Sequence, residues 1–165
     1  MGKAHEAVLK LWDAENLLTL KALRAVPSRG LDYRPHPSSR SLKDLAWHLA
    51  ESERWFCTDA MKLPGRKVGA KAPATAAAIA AAREAGHAEL SAAVRKKGGA
   101  WLSAPVEFYG MKMPRADIVG LMVRHDAHHR GQLSVYLRLV GARVPGIYGP
   151  SADEEKSAKG RGEEE

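Results

Sequence analysis

The sequence predicts an all-α protein, and three features carry that reading. Alanine is abundant and β-branched runs are almost absent, which favours helix over sheet. Apolar residues recur at three- and four-residue steps over long stretches. Proline and glycine clusters cut the chain into four such stretches, with no internal repeat. At 165 residues, with 45% hydrophobic and 27% charged side chains, the chain is long and apolar enough for one domain with a proper core.

The first helix is expected over about residues 3–26. Val8, Leu11, Trp12, Glu15, Leu18, Ala22 and Ala25 form its stripe, and Pro27-Ser28-Arg29-Gly30 ends it. Glu15 on that stripe either pairs with a basic neighbour at its edge or supports a site from behind.

A proline- and serine-rich loop leads to Ser41, which begins a second helix over about residues 41–62, with Asp44 three residues on in a capping-box arrangement. Leu42, Leu45, Leu49, Ser52 and Phe56 face inward with Trp55 beside them. His48, between Leu45 and Ser52, shares that side. An inward histidine among leucines is more commonly a neutral core residue than a ligand. Cys57 is the only cysteine, so no intramolecular disulfide can form. Among Trp55, Phe56 and Met61 it reads as core packing.

The third helix starts from Thr75 as N-cap, and Gly98-Gly99 is expected to stop it. It carries the least chemistry of the four. His87 on it, like His5 and His36, is read as solvent-exposed and without a role. Residues 106–114 suggest an extended crossover with a turn glycine and a closing proline. The fourth helix, about residues 115–140, is about 40 Å long at 1.5 Å per residue and ends at Gly141.

That last helix holds the most informative segment, Arg124-His125-Asp126-Ala127-His128-His129-Arg130-Gly131-Gln132. His125 and His129 are four apart, so they lie within about 40° of each other around the axis and can converge on one ion. Their stripe also contains Leu121, Gln132 and Tyr136, and is polar for a core. Two inward imidazoles must each be satisfied and kept largely uncharged, at a cost of order kcal/mol per unpaired group. A hydrogen-bonded seam is one solution and a shared cation is another. His128, about 100° away, reads as an interface or surface residue.

The net charge of +7 invites a nucleic-acid partner, and the body is more basic still once the acidic tail is set aside. The positive residues are dispersed near helix ends, however, which suits a solvated surface better than a binding face. No apolar run approaches the roughly 18 residues that cross a bilayer, and the N-terminus lacks a signal-peptide core, so the chain is expected in the cytoplasm. Residues 1–153 are expected to form the domain and 154–165 a mobile charged tail.

Three segments together carry a family resemblance: Ser41-Leu42-Lys43-Asp44-Leu45-Ala46-Trp47-His48-Leu49, the run from His125 to Leu133, and the ending Pro145-Gly146-Ile147-Tyr148-Gly149-Pro150-Ser151-Ala152-Asp153. The chain resembles the DinB (DinB/YfiT-like) family of metal-binding four-helix bundles over about residues 5–153. The resemblance implies an up-up-down-down bundle with a long crossover between helices 3 and 4, and frequently a homodimer. It also implies a divalent metal held by His48, His125 and His129.

Three imidazoles around zinc or nickel would leave positions for water or substrate, as catalytic sites do. Asp44, Glu51 and Gln132 are within helical reach to orient the rings. The wider superfamily implies a thiol-dependent S-transferase: the metal binds a low-molecular-weight thiol as thiolate and presents it to an electrophile. Arg124 or Arg130 is considered for holding that thiol's carboxylates, or else as a surface or dimer residue. The alternatives are a metal-dependent hydrolase, with Glu15 or Glu51 as the only visible bases, and a non-catalytic metal-stabilised or stress-response binding protein. A small-molecule substrate is expected, while a membrane partner is not and nucleic acid is disfavoured.

Overall fold

The computed structural model describes residues 2–69 and 71–155. Four helices dominate it: α1 (Lys3–Arg24), α2 (Leu42–Trp55), α3 (Ala76–Ser103) and α4 (Arg115–Leu139). Two short strands, β1 (Pro105–Phe108) and β2 (Met111–Pro114), lie between α3 and α4. The helix starts follow local chemistry. Ser41 Oγ accepts from the Asp44 backbone N–H at 3.0 Å, and Thr75 Oγ1 accepts from that of Ala78 at 3.2 Å.

Two boundaries differ from the sequence expectation. Gly98-Gly99 kinks α3 without stopping it. Gly98 has φ +78°, which only glycine adopts without strain, and the chain resumes helix to Ser103. The expected crossover over 106–114 is a tight antiparallel hairpin. Its two-residue loop, Tyr109-Gly110, has positive φ at both positions, the turn whose twist matches paired strands.

α1 packs against α3 and α4, as does α2, so α1 and α2 lie diagonally. Side-chain contacts fix the directions. His5 meets Ser103 and Arg83 meets Asn16, so α1 and α3 are antiparallel. Arg83 reaches the Leu49 carbonyl and Arg54 reaches Glu89, so α2 and α3 are parallel. Tyr136 bonds the Arg40 carbonyl while Ser52 bonds Asp126, so α4 opposes α2. The helices therefore run up, down, down, up, and the expected up-up-down-down order is corrected. The long crossover belongs between α2 and α3. Parallel neighbours require the chain to travel back along a helix, and residues 61–75 can do so at about 3.3 Å per residue.

The core has two apolar ends. Leu9, Trp12, Phe56, Met61, Val94 and Met122 fill one, and Leu23, Leu42, Leu45, Ile79, Leu133 and Leu137 the other. Between them lies a buried polar layer containing Asn16, Thr19, Glu53, Arg83, Asp126 and Arg130. That layer explains an error in the expected α1 stripe. The buried face runs Leu9, Trp12, Asn16, Thr19, Leu23; Trp12, Glu15 and Ala22 of the expected stripe are buried, while Leu11 is 47% exposed. Asn16 and Thr19 are polar because they serve the buried arginines, so apolar periodicity alone misplaces the stripe.

Cys57 is fully buried and burial pushes its thiol well up, in keeping with a packing role. Among the described residues no helix is long and apolar enough to cross a membrane. The expected mobile tail lies outside the described residues from 156 onward. Glu154 itself accepts from the Gly146 backbone N–H and from Lys21.

Candidate metal centre

Antiparallel packing of α2 on α4 brings the three sequence-selected histidines together. His48 Nε2 lies 3.1 Å from His125 Nε2 and 3.0 Å from His129 Nε2. His129 is buried, whereas His48 and His125 are half-buried. Phe56 stands edge-on to His125, with centroids 5.2 Å apart. It begins the five-residue π-helical turn Phe56–Ala60 that ends α2, a local widening often found at functional sites.

Burial, then the charges of His129 and Arg40, push His48 down to about 4, so its ring is neutral at neutral pH. Burial lowers His129 too, against its bond to Gln132. His129 Nδ1 lies 2.7 Å from Gln132 Oε1, which can only accept. The proton therefore sits on Nδ1 and the Nε2 lone pair points at His48. His125 Nδ1 is buried without a hydrogen-bond partner, 3.6 Å from Asp126 Oδ1.

Three ring nitrogens thus converge, and a neutral His48 ring could give its Nε2 proton to only one of its two neighbours at a time. The donor set fits a shared cation: bonds of about 2.0–2.1 Å from each nitrogen to one ion would leave the nitrogens about 3 Å apart. These three histidines are the one group of metal-capable ligand atoms found together among the described residues.

Of the three residues expected to orient the rings, only Gln132 does so; its Nε2 also lies 3.1 Å from His128 Nε2. Asp44 caps α2 and pairs with Arg34 at 3.1 Å. Glu51 accepts from the Gly69 backbone N–H at 3.2 Å and pairs with Arg66 at 3.4 Å. Glu15 takes the blander of its two readings. Arg130, 2% exposed, bonds its carboxylate, its carbonyl and Thr19, and the Tyr148 hydroxyl closes the set. Arg130 is therefore structural, not a rim residue, and Arg124 does not line the cavity described below.

Sequence reasoning missed the network behind the histidines. The Arg83 guanidinium is fully buried. Its Nη2 lies 2.9 Å from Asp126 Oδ2 and 3.3 Å from Glu53 Oε1, as ion pairs rather than aligned hydrogen bonds. Burial alone would raise the Asp126 carboxyl, but Arg83 and His125 outweigh it and hold it below the usual range. Glu53 also takes the Trp12 indole N–H and His87 Nδ1, and His87 Nε2 faces Asp13 at 3.2 Å. His87 is therefore not a surface residue; its side chain is 12% exposed. The available signal was the charge pattern Glu53-Arg54 on an inward helical face, which apolar periodicity discards.

A cavity of about 520 Å³ opens onto His48 and His125. Trp47, Trp55, Phe56 and Tyr109 give it an aromatic wall, with Arg40 and Glu51 among its polar groups. The hairpin loop delivers Tyr109, which is 79% exposed, to its mouth.

With this geometry in hand, comparison is decisive for lineage. A model of the DinB family matches residues 1–164. The chain belongs to the DinB family. It is 28% identical over 166 residues to the uncharacterized protein YrdA of Bacillus subtilis (strain 168), covering 93% of each chain. A crystal structure of a DinB-like protein from Bacillus cereus superposes with a TM-score of 0.77 at 26% identity, covering 87% of this chain and 97% of that one. The DinB-like protein YjoA of Bacillus subtilis shares the fold, with a TM-score of 0.68 at 16% identity, covering 86% and 97%.

Proposed function

We propose that this DinB-family chain is a metal-dependent enzyme that transfers a small thiol to an electrophile. His48, His125 and His129 hold a divalent ion, zinc or nickel, at the floor of the aromatic cavity. The observation that carries the reading is the convergence of three imidazole nitrogens beside a cavity of small-molecule size. Three protein ligands leave room for an exogenous one, unlike closed four-ligand structural sites.

The bound ion would lower the pKa of a thiol so that it reacts as thiolate near neutral pH. The chain's own groups orient. Gln132 fixes the His129 ring, and Asp126, anchored by Arg83, stands behind His125. Trp47, Trp55 and Phe56 give the cavity an apolar wall against which the body of an electrophile can lie. Hydrolysis lacks a free base, since both cavity carboxylates, Asp44 and Glu51, are engaged by arginines.

The test uses the full chain loaded with zinc or nickel, cysteine as the thiol and monobromobimane as the electrophile. Carbon–sulfur bond formation releases bromide and yields a fluorescent adduct. Metal-dependent acceleration that is lost in His125→Ala supports transfer. Cleavage of p-nitrophenyl acetate without thiol would replace transfer with hydrolysis, and inactivity in both assays would favour a non-catalytic role.

A further inference from the structure

We propose that Arg40 is the anion anchor of this cavity, and that the molecule it admits is a small organic acid: a carboxylate on an apolar or aromatic body. The inference rests on the reading above in placing the chemistry in this cavity, but it concerns which molecule enters.

Arg40 immediately precedes the Ser41 cap of α2, and its carbonyl accepts from the Tyr136 hydroxyl at 3.0 Å, which pins this segment to α4. Its side chain lines the aromatic cavity and also an adjoining groove bordered by Gln132 and Tyr136. It is close enough to the histidines for its charge to lower both His48 and His129.

The charges around the cavity leave Arg40 as the unbalanced one. Asp44 faces Arg34, and Glu51 faces Arg66 and the Gly69 N–H. Arg54 and Arg130 are likewise matched to carboxylates. Among the described residues the guanidinium of Arg40, an exposed residue, makes no hydrogen bond or ion pair, and Arg40 is the arginine that lines the cavity. The imidazoles themselves add no compensating negative charge, and a bound cation would make the cavity more positive.

A planar guanidinium with free donors suits a carboxylate, which it can bind through two parallel hydrogen bonds. The facing wall of Trp47, Trp55 and Tyr109 suits an apolar or aromatic body. A cationic ligand would meet like charge, and a neutral one would gain nothing from the charge of Arg40.

Trp47 and Trp55 line the cavity, so intrinsic fluorescence reads occupancy. Phenylacetate, its neutral isostere phenylacetamide, and acetate would be titrated into the full-length chain, metal-stripped and zinc-loaded. Phenylacetate is expected to saturate about tenfold more tightly than phenylacetamide, with acetate weaker than phenylacetate. Arg40→Gln should bring phenylacetate to the amide's level while leaving phenylacetamide unchanged, and Arg40→Lys should retain part of the preference. The amide arm reports that the cavity is intact in each variant.

No saturable response to phenylacetate, equal affinity for the amide, or an Arg40→Gln variant indistinguishable from wild type would overturn the proposal. Metal content measured on the same samples keeps the two readings separate. Loss of metal binding with carboxylate selectivity intact contradicts only the metal reading. Metal binding without that selectivity contradicts only the role of Arg40.

Discussion

Arg83 Nη2 lies 2.9 Å from Asp126 Oδ2, and this contact joins α3 to its diagonal partner α4 through the centre of the bundle. Both side chains are almost wholly buried, and Asp126 is the residue that follows His125. The floor of the candidate metal centre is thus fastened to the opposite corner of the fold.

Arg83→Met should therefore destabilise severely. It strands two buried carboxylates, Glu53 and Asp126, and removing one partner of a buried ionic set costs about 3–5 kcal/mol. Arg24→Ala, which breaks the exposed pair with Glu84, should cost under about 1 kcal/mol. Urea unfolding of the two variants side by side checks the contrast.

Gln132→Ala removes the acceptor that sets the His129 tautomer, while Gln132 itself is exposed. Zinc affinity, measured by competition with a chelator, should fall about tenfold or more. Stability of the metal-free protein should change by less than about 0.5 kcal/mol.

Much of this was legible in the sequence because it is local. The Ser41 and Thr75 caps, the four helices, and the inward faces of His48, His125 and His129 follow from spacing that the fold preserves. The partners of those groups were not legible. Arg83 sits in an alanine-rich helix that reads as filler, and His87 next to a glycine reads as surface, yet Arg83 is interior and His87 half-buried because Glu53 and Asp126 arrive from other helices to meet Arg83, and Glu53 to meet His87. Helix direction was also hidden, since one-dimensional periodicity is the same up or down.

Stability should fall in acid, chiefly through the buried Asp126, since the Asp59 and Glu89 pairs are solvent-screened. Asp59 and Glu89 are held low by bonds from Lys67 and Arg54, and Asp126 is held low by Arg83 against its burial. With folded values below unfolded ones, the unfolded chain takes up protons first as pH falls. The stabilisation is present above about pH 5 and is lost as pH drops through the folded values. Urea midpoints at stepped pH values between 6 and 3 should decline progressively below about 4.

Tyr148→Phe deletes the hydroxyl shared by Glu15 and Arg130, which ties the chain's ending to the polar layer. A loss of about 1 kcal/mol is expected in urea unfolding, with zinc affinity unchanged because no histidine of the cluster contacts Tyr148.

The most direct test of the account is metal stoichiometry. The full chain would be stripped with chelator, reloaded with zinc, desalted and analysed for metal, alongside His48→Ala, His125→Ala and His129→Ala checked for helical content. The account predicts about one ion per wild-type chain and a marked loss in each variant while the helices persist. Wild-type protein that retains no zinc, or folded variants that retain as much as wild type, would contradict it.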